Sequence, residues 1–294
     1  LGEARIHLGR QRINFDNQRF IGGNGFWQNE QTFDALLGKF KLASNSNVTY
    51  SYIANANRIF GERADKWNTR PEHNYDQNWQ AGAFLGDHKQ RTHLARIEWN
   101  EWDYSRFVGY GYRINNRDMS SLSNNTFGLS YTLNYKLDSI KYRVQLEAAQ
   151  QDRFELAANN LPYYLLDLGI GINTWEFSSR YEILGATGGA AFITPLGSLH
   201  NFEGWADEIG NTPNTGVRDF SLGILWRASP LRVQGSYHFF KNDTAGENIG
   251  REFDLDFMYK PARKHSISLR LAHFEPQGDA RSVRKVYLDY AFNL

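Results

Sequence analysis

The chain has 294 residues, no cysteine, a net charge of +1 and a mean hydropathy of −0.60. The near-zero charge gives no reason to expect nucleic acid, and no run of about eighteen apolar residues is present to form a membrane-crossing helix. A transmembrane barrel survives these exclusions, because its strands alternate and leave the chain hydrophilic on average. The absence of cysteine fits an oxidising compartment in which no disulfide is used. Leu1-Gly2-Glu3-Ala4-Arg5 is polar and strand-like rather than a leader, so an exported protein would stand here in mature or trimmed form.

In chain order, about fourteen stretches alternate apolar and polar residues, a count within the usual barrel range. They are 4–12, 33–43, 47–60, 92–101, 106–115, 126–137, 140–152, 163–173, 175–184, 217–228, 231–241, 252–260, 265–274 and 282–294. Short connections (such as 44–46, 138–139 and 229–230) alternate with long ones (such as 13–32, 61–91 and 185–216). That regularity predicts an all-β fold: a transmembrane antiparallel up-and-down β-barrel of the bacterial outer membrane, one domain over 1–294. Short turns face the periplasm and long loops the outside. An even strand number lets the sheet close, which matters because open edges in lipid leave backbone groups unpaired.

The clearest hairpin runs from Thr126 to Ala148. Phe127, Leu129, Tyr131, Leu133, Tyr135 and Leu137 share one face, opposite Gly128, Ser130, Thr132, Asn134 and Lys136. After an Asp138-Ser139 turn, Ile140, Tyr142, Val144, Leu146 and Ala148 oppose Lys141, Arg143, Gln145 and Glu147. Strands this long, with Tyr and Leu together on the apolar face, suit lipid better than a soluble core. The other strands keep the rule: Ala95, Ile97 and Trp99 oppose Arg96, Glu98 and Asn100, and Val108, Tyr110, Tyr112 and Ile114 oppose Gly109, Gly111 and Arg113. Arg10 and Arg12 share a parity with Ile6 and Leu8, which predicts a bulge or a strand end rising above the lipid. Val286, Leu288, Tyr290, Phe292 and Leu294 face outward in the final strand, which resembles the C-terminal insertion signal of outer-membrane proteins.

No catalytic signature is present: no Gly-x-Ser-x-Gly elbow, no His-Glu-x-x-His and no phosphate-cradling Gly loop. No catalytic residue, metal or cofactor is therefore expected, and His200 reads as a loop-packing residue. Glu252, Asp254 and Asp256 could hold a cation; the plainer reading is a luminal ladder beside Arg232 and Arg270. The expected inward faces carry Arg96, Arg113, Arg143, Arg180, Arg232 and Arg270 with Glu98, Glu182 and Asp254, besides Lys136, Lys141, Glu147, Asp167 and Glu176. A soluble core cannot bury so many charges. A water-filled lumen can, and there they set ion preference.

The 185–216 connection spends Phe192 and Trp205 beside Thr194-Pro195 and Thr212-Pro213. Exposed loop tips seldom do so, so it packs on something, either in the barrel mouth or across the extracellular rim. Phe192, Thr194, Pro195, His200, Trp205 and Asp207 are its candidate constriction or rim residues.

Gly9-Arg10-Gln11-Arg12, Asp16-Asn17-Gln18-Arg19-Phe20, Gln28 to Asp34 and, above all, Phe192 to Asp207 resemble the alginate-export family of outer-membrane porins. The resemblance implies a barrel of eighteen strands, with two hairpins expected to precede this sequence. By motif it adds Arg10, Arg12, Arg19 and Arg180 as residues that would meet an anionic saccharide. The leading expectation is passive passage of hydrophilic, anionic solutes such as uronate-type saccharides through an outer-membrane porin contacting lipopolysaccharide and phospholipid. Two alternatives stay open: an export conduit for an anionic polysaccharide with periplasmic partners, and a plugged structural or adhesion barrel.

Overall fold

The computed structural model describes residues 3–61, 64, 86–100, 102–154, 156 and 158–292. Leu294 and most of the 61–91 connection lie outside them. Fourteen strands form the wall: β1 (Ala4–Gln11), β2 (Thr32–Ala43), β3 (Ser46–Asn57), β4 (Asp87–Trp99), β5 (Ser105–Ile114), β6 (Asn124–Leu137) and β7 (Ile140–Arg153). They continue as β8 (Ala158–Ile172), β9 (Trp175–Leu184), β10 (Val217–Ala228), β11 (Leu231–Lys241), β12 (Asn248–Ala262), β13 (His265–Pro276) and β14 (Val283–Phe292). Each pairs antiparallel with its sequence neighbour in one fourteen-stranded sheet, whose edges are β1 and β14. The ladder between those edges that closure would need is not formed among the described residues.

Local chemistry explains the hairpins. Asp138 and Asn173 take φ of 52° and 53° in the short turns, the left-handed conformation that two-residue loops need and that Asp and Asn tolerate. Tyr135 stands opposite Tyr142 and Leu133 opposite Val144, so apolar pairs cover the outward face of this hairpin. Phe127 and Leu129 are 64% and 71% exposed on that apolar face. Trp99, Trp102, Trp175 and Tyr259 stand exposed near the short-turn end, where an aromatic girdle belongs.

The buried core sits inside the wall. The β1–β2 connection brings Phe15, Phe20 and Ile21, and the 185–216 connection brings Phe192 and Leu196, against wall residues Tyr110, Tyr112, Leu161, Tyr163 and Leu184. This corrects β5: Val108, Tyr110, Tyr112 and Ile114 face inward and are buried, and Arg113 is exposed on the outward face. Alternation separates two faces without saying which meets lipid. Here the outward face is made of glycines covered by neighbours, for a Cβ on Gly111 would lie 3.1 Å from the Phe127 ring. The inward aromatics instead serve the loops.

Candidate functional site

Two loops, residues 12–31 and 185–216, meet inside the long-loop half of the wall. Ile21 and Leu196 form a parallel bridge. The Gly22 N–H donates to the Leu196 carbonyl at 2.9 Å, and the Ser198 N–H to the Gln18 carbonyl at 3.0 Å. The Gln31 side-chain amide donates a further hydrogen bond to the Leu196 carbonyl at 3.0 Å. Of the two positions open to the 185–216 loop, it takes the lumen.

Side chains of the wall then hold this plug. Gln151 exchanges two bonds with the Ile193 backbone, at 2.8 and 2.9 Å. Arg153 donates to the Ala191 carbonyl at 3.2 Å and the Ser121 carbonyl at 2.8 Å. The Ala206 and Trp205 N–H groups donate to Glu252 at 2.6 Å and to Asp254 at 3.3 Å. Gly204 permits this approach: its φ is +81°, and a Cβ there would lie 2.4 Å from the Glu252 carboxyl carbon. The acidic run on β12 is thus divided. Glu252 and Asp254 bind loop backbone, and only Asp256 meets the expected cations, Arg232 at 3.3 Å and Arg270 at 4.0 Å.

A chain of ion pairs links the plug to the lower wall. Arg143 meets Asp167 at 2.8 Å, Asp167 meets Arg180 at 3.5 Å, Arg180 meets Glu182 at 3.2 Å, and Glu182 meets Arg19 at 3.0 Å. Arg19 also contacts Glu203 of the other loop. Arg19 and Glu182 are fully buried, and the Tyr163 hydroxyl donates to Glu182 at 2.7 Å. Burial pushes the Glu203 carboxyl above the usual carboxylate range, Arg19 opposing and Glu182 adding to the rise. On the far wall Asp16 receives Arg96 at 2.8 Å and Arg106 at 2.5 Å, and Glu98 receives the same two arginines at 3.0 and 3.3 Å. A third cluster holds the loop tip. His200 stacks on Phe26 at 3.7 Å and contacts Asp207 at 2.8 Å. Arg270 donates to His200 Nε2 at 2.9 Å and lies between the rings of Phe26 and Trp205. His200 is therefore the packing residue the sequence suggested.

The expected site residues divide into three groups. Arg19, Arg96, Glu98, Arg143, Arg180, Glu182, Arg232, Asp254 and Arg270 line the interior, with Phe192, Thr194, Pro195, His200, Trp205 and Asp207 on the plug. Arg113 faces outward, as described. Arg10 is a correction too: it sits opposite Asp34, pairs with it at 2.8 Å, and shares the outward face of Leu8 and Leu36. Arg12 follows the end of β1 and pairs with Glu30 at the rim. Strand-end elevation, rather than a pore position, explains both. Sequence reasoning missed Asp16, Arg106, Gln151, Arg153 and Glu203. Asp16 and Glu203 lie in loops without periodicity, although both take left-handed φ of 51° and 53°.

Below the plug the inner wall is polar. A cavity of about 290 Å³ at the short-turn mouth is lined by Lys136, Lys141, Arg143, Glu176 and Arg227, with Gly169 and Gly171 at its wall. Lys136 and Lys141 stand directly opposite each other, and neither has an acidic partner within 4 Å among the described residues. The charges expected to hang in water are thus of two kinds: buried ion pairs above and solvated charges below. Of the latter, Arg143 and Arg227 pair with Glu176, and Lys136 and Lys141 stand without an acid among the described residues.

No family model matches this chain, and no curated protein does either. The resemblance to the alginate-export family therefore gains no support. Solved structures are similar instead: OccAB2 of Acinetobacter baumannii at 13% identity and TM-score 0.70, covering 99% of this chain and 74% of that one. OccK11 (OpdR) of Pseudomonas aeruginosa matches at 12% and 0.73, over 98% and 76%, and OccK10 (OpdN) at 11% and 0.73, over 99% and 80%. At these identities the likeness establishes the fold: an antiparallel β-barrel of the kind those proteins share.

Proposed function

We propose that this chain is an outer-membrane channel that passes small hydrophilic solutes, preferentially anions, down their gradient. The observation that carries it is the short-turn mouth of the lumen, where Lys136 and Lys141 face each other with no acidic partner among the described residues, beside the solvent-accessible but ion-paired Arg143 and Arg227. Rings of such cations favour anions through the field in a narrow lumen. The likeness to Occ and Opd proteins, outer-membrane porins, supports this reading. Export of a polysaccharide with periplasmic partners has no support. The plugged adhesive or structural barrel keeps one observation in its favour, the buried ion pairs that anchor both loops. In planar bilayers the purified protein is expected to conduct with anion preference, and Arg106→Ser, Arg143→Ser and Arg232→Ser together should move the reversal potential toward cations. A silent parent protein would favour the plugged barrel.

A further inference from the structure

The outward position of Arg113 places it in a group of cations with no part in the pore. On β4, Lys89, Arg91 and His93 alternate with buried His88, Gln90 and Thr92, so all three point away from the lumen. Arg113 sits opposite His93, and the Arg117 N–H donates to the Lys89 carbonyl at 2.9 Å. Two acids border the group: Asp118, which accepts the Lys89 N–H at 2.7 Å, and Asp87 on the Lys89 face. Residues two apart on a strand are about 6.7 Å apart, so the β4 row spans about 13 Å, with the second row about 5 Å away. Lys89, Arg91, Arg113 and Arg117 are exposed, and none has an ion pair among the described residues. The Arg113 guanidinium lies 5.8 Å from the Phe154 ring centroid. Three other arginines of the outer rim are neutralised, Arg10 by Asp34 at 2.8 Å, Arg218 by Asp243 at 2.8 Å and Arg251 by Glu275 at 2.7 Å, whereas Arg281 and Arg284 are exposed without an ion pair among the described residues.

The height of the patch matters as much as its charge. It lies at the long-loop end of β4 and β5, directly above outward Ala95 and Ile97 and beside Phe127 and Leu129. A ligand reaching it sideways from the bilayer would lay acyl chains on the apolar belt and anionic head groups on the cations. We propose that Lys89, Arg91, Arg113 and Arg117 form a binding patch for the phosphate groups of an outer-leaflet glycolipid, the lipid A part of lipopolysaccharide. Arginine suits this task because its planar fork donates two parallel bonds to a phosphate. The inference rests on the outer-membrane reading but not on conduction.

The test titrates the detergent-solubilised protein with bisphosphorylated lipid A, its dephosphorylated form, phosphatidylglycerol and inorganic phosphate, and counts bound lipid by native mass spectrometry. The parent should bind bisphosphorylated lipid A above the other three, more weakly as salt rises. The exposed fourfold variant K89S/R91S/R113S/R117S should lose about tenfold or more in Kd, equivalent to about 1.4 kcal/mol. Arg218→Ser, at a neutralised rim position, should keep the parent affinity. Equal binding by the fourfold variant, by dephosphorylated lipid A or by phosphatidylglycerol would overturn the patch, as would displacement by inorganic phosphate at equal concentration. Bilayer recordings on the parent protein separate the two readings: a silent parent that still distinguishes the lipids sinks the pore and leaves the patch.

Discussion

The two halves of the lumen share one wall and one alternation of residues, yet they are built on opposite principles. Above, Phe15, Phe20, Phe192, Tyr112 and Tyr163 fill the interior, and the charges among them are buried and paired. Below, Lys136, Lys141, Arg143 and Arg227 border a cavity and face water. The upper half therefore behaves as a protein core and the lower half as a channel wall. Charge count alone does not distinguish a pore from a plug; the dielectric around each charge does.

The sharpest way to break this contrast is to remove one partner from each half. Glu182→Ala strands Arg19 and Arg180 in a buried site and should destabilise the fold by about 3–5 kcal/mol. Phe20→Ala should cost about as much by opening a cavity. Arg143→Ser, at the solvated end of the same ion-pair chain, should cost about 1 kcal/mol or less. Urea refolding into micelles measures all three, and equal losses would mean that the lower half is as dry as the upper.

Insertion of a charge sharpens the boundary. Thr132→Arg points into the lower lumen and should be tolerated, whereas Thr126→Arg enters the packed half, where Thr126 is buried against Gln151. Leu133→Arg, on the lipid face, should lose about 2–4 kcal/mol. If Thr126→Arg is as benign as Thr132→Arg, water reaches the plug.

The smallest effect expected is that of pH. Because burial raises the Glu203 carboxyl, the folded state holds that proton more tightly than the unfolded chain. Its contribution is present below the unfolded carboxylate value of about 4.3 and is lost as pH rises through the raised folded value. The urea midpoint should thus decline over that interval, and Glu203→Gln should flatten the decline. A midpoint that rises there instead would show Glu203 charged and paired with Arg19.

The alternation of residues determined most of the wall by itself. Fourteen strands, their antiparallel order and the inward placement of Arg96, Glu98, Arg143 and Glu182 follow from period two and from connections that are short and long in turn. A strand's two faces are a local property, written every second residue. Which face meets lipid is not, when glycines make one face and tyrosines the other. In β5 that choice was settled by loop aromatics from a distant part of the chain, as the ring contacts of Phe15 with Tyr112 and of Phe20 with Tyr110 show. The same holds for Arg10 and Arg113, whose neighbours along the chain match those of pore residues. Only the tertiary structure decided that the 12–31 and 185–216 loops enter the lumen, because their docking is set by backbone hydrogen bonds and buried ion pairs between distant segments, which leave no period in the sequence.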